Sequence, residues 1–340
     1  MKVVRTLARS ALFSLMVSGG VTLGVAQAAD FSARTMRLGY VLNETHPQGL
    51  GAKRLAEIVA QRSAGNIKIL NFGNSVLGDE IKLMSSVQGG VLEMAIVTTA
   101  PLAGAVKEMG VLDAPFLFTN NKEADTVLDG PIGDKLLRNL ETRGMVGLGW
   151  MDIGFRNIVN SKRPLTKLED ISGLKLRTMQ SKIFIDSFTA LGANPVPLAF
   201  SELFTAMETK AVDGAENAAT VIESSKFYEV QKYMSITHHM YAAMAIIINK
   251  KLWDGLSLDE KKLLREASVE ASRYQRTVNR EQEVKAIASL KKNGMQINEM
   301  SPAELNRMRE KVRPVVADIA KTVGEPLVTE LNAELAKLRQ

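Results

Sequence analysis

The chain has 340 residues, 46% of them hydrophobic, with 43 Lys and Arg against 37 Asp and Glu and no cysteine. The lack of cysteine excludes disulfides, thiolate metal sites and cysteine nucleophiles together. Lys2, Arg5 and Arg9 sit at the extreme N-terminus, leaving 40 basic against 37 acidic residues elsewhere, and no basic cluster interleaved with aromatics occurs, so no nucleic-acid partner is expected.

In chain order, Met1 to Ala28 combines those three basic residues with the apolar run Ala11 to Val17 and the small-residue ending Ala26-Gln27-Ala28. This is the pattern of a secretory signal peptide, expected over residues 1–28. Its apolar run is shorter than the ~20 residues a membrane-spanning helix needs. With no cysteine to carry a lipid, the mature chain from about Ala29 is expected to be secreted and not itself embedded in a membrane.

From Met36 onward short apolar runs alternate with helical patterns. A strand from Met36 to Val41, a helix near Gln48 to Ser63, a strand from Asn66 to Phe72, a helix from Gly78 to Gln88 and a strand from Glu93 to Val97 make a βαβαβ order. That order predicts a mostly parallel sheet with helices on its faces. A second α/β segment starts after Gly147 to Asp152, with strands at Leu174 to Thr178 and Ala211 to Glu216 around a helix from Ser181 to Leu191. Ala243 to Asn249 reads as a buried strand returning to the first segment. Leu258 to Asn293 is a helical pattern without internal Gly or Pro, long enough to cross both segments. The expected fold class is α/β, two-lobed, with lobe I at 29–153 plus 242–281 and lobe II at 154–241 plus 282–340.

The usual signatures of enzymes are missing. The only histidines are His46, His238 and His239, none in a His-Glu-x-x-His pair, and there is no Gly-x-Ser-x-Gly elbow or phosphate-binding loop. Gly49-Leu-Gly51 lacks the third glycine of a dinucleotide fingerprint. No cofactor and no metal are expected. Arg156, just after a predicted strand, and Arg177, at the carboxyl end of another, carry planar guanidinium forks that match a carboxylate. Periodicity alone leaves surface salt bridges as the alternative. Rival readings are an exported hydrolase or lyase using Glu80 and Asp152 as acid and base, and a dimerisation protein built on the long helix.

Several ordered stretches resemble one family: Asn74 to Glu80, Leu112 to Phe118, Gly154 to Pro164, Gly173 to Arg177, Leu191 to Glu202, Val212 to Asn217 and Lys226 to Tyr233. They resemble the extracytoplasmic solute receptors of TRAP (tripartite ATP-independent periplasmic) transporters over essentially the whole mature length. The resemblance implies a periplasmic protein without catalytic activity that binds a small organic acid and hands it to the transporter's membrane subunits. It assigns Arg177 the bidentate contact with the ligand carboxylate, Arg156 a second contact, Asn217 a hydrogen bond at the same end, and Phe200 the ligand's apolar side.

For the far end of the ligand the candidates are His46, Glu80 and the pair Thr98 and Thr99; for Glu80, capping its helix is the alternative. Asp152 and Gln180 resemble residues of receptors for uronates and related sugar acids. Acidic and neutral groups in the first lobe, in place of extra cations, point to a polyhydroxylated monocarboxylate. A four-carbon dicarboxylate or other small organic acid is the alternative ligand.

Overall fold

The computed structural model describes residues 31–340, which form one compact unit; the expected signal peptide lies outside them. Nine strands make a single sheet. The first half holds β1 (Arg34–Gly39), β2 (Ile67–Phe72) and β3 (Met94–Thr98), with β1 parallel to both others. Helices α1 (Pro47–Arg62) and α2 (Glu80–Gln88) are the crossovers between them. The helices α3 (Thr99–Ala105), α4 (Asn121–Leu128) and α5 (Pro131–Asn139) follow, with a 3₁₀ turn at Lys107–Asp113.

The chain then enters β4 (Met145–Asn160), sixteen residues long and buried at every position. β5 (Lys175–Thr178), α6 (Lys182–Ala190), β6 (Asn194–Pro197), α7 (Phe200–Glu208), β7 (Gly214–Asn217) and α8 (Ala219–Ser224) build the second half. β8 (Tyr233–Asn249) returns antiparallel to β4 along most of its length and pairs with β3 at its far end. After α9 (Lys250–Asp254) come α10 (Leu258–Lys292), the edge strand β9 (Gln296–Glu299), α11 (Pro302–Val323) and α12 (Glu325–Leu338).

The strand order β2-β1-β3-β8-β4-β7-β5-β6 makes β4 and β8 the bridge between two parallel halves. Sequence analysis places Arg156 after a strand and starts the return strand at Ala243; both residues instead lie inside continuous strands. Three glycines and several polar residues disguise β4, because their burial comes from neighbours and not from their own hydrophobicity. The three places where the chain is expected to change lobe fall at Gly154 in β4, Ala242 in β8 and Gln282 in α10. Gly154 and Ala242 are register partners, beside a bulge at Asp152/Gly154. Gly154 has φ +92, a conformation that favours glycine.

A bulge leaves backbone groups without ladder partners, and buried ones must be paired elsewhere. α10 supplies the partners. Ser257 and Glu260 form a capping box at its start, and its buried face presents Gln275 and Asn279 to the bulge. Gln275 Oε1 accepts from the Asp152 amide at 2.9 Å while its Nε2 donates to the Asp152 carbonyl at 2.6 Å. Asn279 Nδ2 donates to the Ile153 carbonyl at 3.0 Å and to Asp152 Oδ1 at 2.9 Å. Asp152 is fully buried and also accepts from the Tyr241 hydroxyl and, at 3.2 Å, from Arg280. Burial pushes its carboxyl pKa up, against the pull of these donors.

Removing one partner from such a network strands the others. Asp152→Ala is expected to destabilise the fold by about 3–5 kcal/mol, read by denaturant unfolding. Tyr241→Phe should cost less, and the double variant less than both losses together, because the two share one network.

Candidate functional site

In sheets of this kind the carboxyl ends of parallel strands gather loops and helix N-termini into a crevice. Here they meet in a small cavity between the halves of the sheet, lined by Glu80, Ala100 and Pro101 from one side and by Arg177, Gln180 and Phe200 from the other. A larger groove between α3, α6 and α11 shares Ala100 and Gln180. Its acids, Asp186 and Asp318, pair with Lys182 and Lys321 of their own helices, and it holds no buried charge.

Among the described residues three arginines are buried: Arg156, Arg177 and Arg276. Arg276 is paired with Asp125 and Asp129 of the α4 segment. Arg156 is paired with Glu216 of β7 through its Nε and, at 2.7 Å, its Nη2, which also donates to the Glu216 carbonyl at 2.9 Å. Its guanidinium lies 5.4 Å from the Phe184 ring centre. Burial alone would raise the Glu216 carboxyl, but Arg156 brings it down to about 2. His239 adds its Nε2 at 3.4 Å, and the Thr237 hydroxyl lies 2.8 Å from its Nδ1.

Arg177 differs. Among the described residues its guanidinium has no carboxylate partner; Nε and Nη2 both donate to the Leu198 carbonyl, at 3.0 and 2.7 Å. Burial lowers its pKa to about 10, so it stays charged at neutral pH. The carbonyl is fixed because Leu198 precedes α7, whose first turn is held by Glu202 accepting from the Ala199 amide. An unpaired charge in a low-dielectric site is costly, and this one borders the cavity.

The remaining expected residues fall into two groups. Phe200 lines the cavity with its ring 6.1 Å from Phe227. Asn217 ends β7, opposite Asn157 of β4; its Oδ1 accepts from the Ala218 amide, and its Nδ2 has no protein acceptor among the described residues. Gln180 is exposed at the cavity rim. Glu80 does not cap its helix, since Asp79 does. Instead its two oxygens accept from the Thr98 amide at 2.8 Å and the Thr98 hydroxyl at 2.7 Å. Loss of solvent raises its pKa, while Thr98, Arg156 and Arg177 pull it down.

Arg156, Asn217, His46 and Asp152 are not among the residues that line the cavity. Asp152 spends its side chain on β8 and α10. His46 is fully buried and is the N-cap of α1: its Nδ1 accepts from the Gln48 amide at 3.0 Å, and its Nε2 lies 3.4 Å from the Thr220 hydroxyl of α8. Both ring nitrogens thus have protein partners, where sequence reading expects a donor to a ligand hydroxyl. Proline at N1 is the sequence signal for this role, although histidine is an unusual cap. Sequence reading also misses Glu216 as the partner of Arg156, and the buried Asp113.

Burial depresses the His46 pKa to about 3, against about 6.5 when unfolded. The unfolded chain therefore binds a proton between these values and the folded chain does not, so this residue makes stability fall as pH drops below about 6.5, by up to 1.4 kcal/mol per unit. His46→Asn retains a good cap and does not titrate. Its melting temperature is expected to fall less than that of the wild type between about pH 6.5 and pH 4.

Comparison with known proteins places this geometry in context. The family of bacterial extracellular solute-binding proteins, family 7 (DctP), matches residues 38–322. The 2,3-diketo-L-gulonate-binding periplasmic protein YiaO of Escherichia coli is 35% identical over 93% of this chain and 98% of its own. The sugar acid binding protein DctPAm of Advenella mimigardefordensis, solved in complex with galactonate, is 42% identical, with TM-score 0.88 over 91% of this chain and 99% of that one. A TRAP periplasmic solute binding protein of Polaromonas, bound to D-erythronate, is 37% identical, with TM-score 0.85 over 88% and 98%. The chain belongs to the family 7 bacterial extracellular solute-binding proteins, the receptors of TRAP transporters.

Proposed function

We propose that this receptor binds a sugar acid of the aldonate or uronate type in the periplasm, through its carboxylate, and delivers it unchanged to the membrane subunits of its transporter. The observation that carries the reading is Arg177, a buried guanidinium at the cavity wall with no carboxylate of the protein to pair with. A carboxylate arriving there would supply the missing counter-charge, and water exclusion would strengthen the pair. On this reading the Asn217 Nδ2 and the free edge of Arg156 would meet the same end, and Phe200 the carbon chain.

At the far end Glu80 accepts hydrogen bonds and Gln180 can do either, which favours hydroxyls. A second carboxylate beside Glu80 would meet like charge in a poorly screened cleft. The two relatives named above with sugar acids, galactonate and D-erythronate, support the same class. His46 and Asp152 act, on this reading, through the packing of the two halves and not by touching the ligand. Among the described residues no helix is long and apolar enough to cross a membrane.

Galactonate, glucuronate and erythronate are expected to raise the melting temperature, since a ligand stabilises the state it binds, while succinate and malate at equal concentration do not. A preference for succinate or malate over every sugar acid would establish the four-carbon dicarboxylate reading instead. Conversion of the sugar acid into product during the incubation would establish the enzyme reading. Arg177→Lys keeps the charge and loses the fork; calorimetry should show affinity for the preferred acid falling more than about tenfold, about 1.4 kcal/mol.

A further inference from the structure

Asp113 ends the 3₁₀ turn Lys107–Asp113 and is 2% exposed. Its Oδ1 accepts from the Thr99 hydroxyl, while its Oδ2 is enclosed without any hydrogen-bond partner among the described residues. Thr99 follows Thr98, so the end of β3 tethers two carboxylates side by side, Glu80 by one threonine and Asp113 by the next. The charged groups whose fields reach Asp113 are Arg156 of β4, Glu80 of α2 and Glu216 of β7. β8, also packed on this turn, carries His239, whose carbonyl accepts from the Phe116 amide. The buried positions of α6 and α11, which pack there too, are Phe184, Ser187, Phe188, Met308, Val312, Val315, Ile319 and Val323, none of them charged.

Asp113, Glu80 and Glu216 thus all lie within the field of Arg156, Glu80 and Glu216 lie also within that of Arg177, and Arg156 is already committed to Glu216. An incoming carboxylate on Arg177 adds a further negative charge where solvent cannot screen it. We infer that Asp113 takes up a proton from solvent when the acid binds, so that the receptor captures the anion together with a proton. The inference rests on the reading of the cleft as an acid site. Asp113 suits the task better than its neighbours. Glu216 is held ionised by Arg156, and both Glu80 oxygens already accept from Thr98, whereas Asp113 Oδ2 is free to carry a hydrogen. Burial, only partly opposed by Thr99 and Arg156, raises its pKa to about 7, so the free receptor is poised to take the proton.

A second anion nearby raises that value further, so affinity should be full below about pH 7 and fall by up to tenfold per unit above it, until the bound-state value is passed. Calorimetry of the full chain with galactonate, in buffers of differing ionisation enthalpy, is expected to show net proton uptake approaching about one per ligand near pH 8. Asp113→Asn, nearly the same shape, should bind galactonate without that uptake and with a flat profile over the same range. Galactonate binding with no uptake in the wild type, or equal uptake in Asp113→Asn, overturns the inference. So does a carbon-13 NMR titration of the ligand-free protein that places the Asp113 carboxyl in the ordinary carboxylate range. Failure of galactonate and every other acid to bind at any pH would instead overturn the acid-site reading, and this inference with it; the Asp113 titration in the free protein tells the two failures apart.

Discussion

The antiparallel pairing of β4 with β8 is the constraint on which the rest of the structure depends. These strands join two parallel half-sheets that would otherwise have no common element, and every residue of β4 is buried. Their register also sets the chemistry. Bulges at Asp152/Gly154 and Arg156/Ile158 re-aim the side chains that follow them, so Asp152 is turned to α10 while Arg156 meets Glu216. Asn157 stabilises the second bulge by accepting from the Thr237 and His238 amides at 3.1 and 3.3 Å. A pair of strands interrupted by bulges can twist and bend there without unzipping, which is how a continuous sheet can accommodate closure of a crevice between its halves.

The electrostatic design follows from how two similar arginines are treated. Arg156 and Arg177 are both buried, and both were candidates for the same carboxylate. One is neutralised within the protein by a bidentate carboxylate, with a histidine behind it. The other is steadied by a single carbonyl and left with its charge uncompensated. A fully paired site would have no reason to favour an anion, and two unpaired guanidiniums would be costly to bury. The arrangement keeps one positive charge in reserve and holds the second rigidly as its neighbour.

Much of this was legible in the sequence where the signal is local. The alternation of apolar runs and helical patterns predicts β1, α1, β2, α2 and β3 to within a few residues, and the uninterrupted pattern from Leu258 predicts α10. The position of Arg177 at the carboxyl end of a strand also follows from local pattern. What was not legible depends on contacts distant along the chain. Nothing near Arg156 announces Glu216, sixty residues on, and nothing near Asp113 announces that Thr99 will donate to it. β4 looked short because glycines and polar residues break its apolar run; their burial is supplied by β8 and α10. The brief edge strands β6 and β9 carry too few residues for periodicity to register.

The strand order also dictates when the chain can fold. Met94 pairs with Ile248 and Met145 with Asn249, so the centre of the sheet closes loops of roughly 100 to 150 residues, and such distant pairings are slow to form. Neither half-sheet can be joined to the other until β8 has been made, more than two-thirds of the way along the chain. Until then the nascent protein has α/β fragments but no spine. A polypeptide built this way acquires its rigid frame only after most of its length has been made.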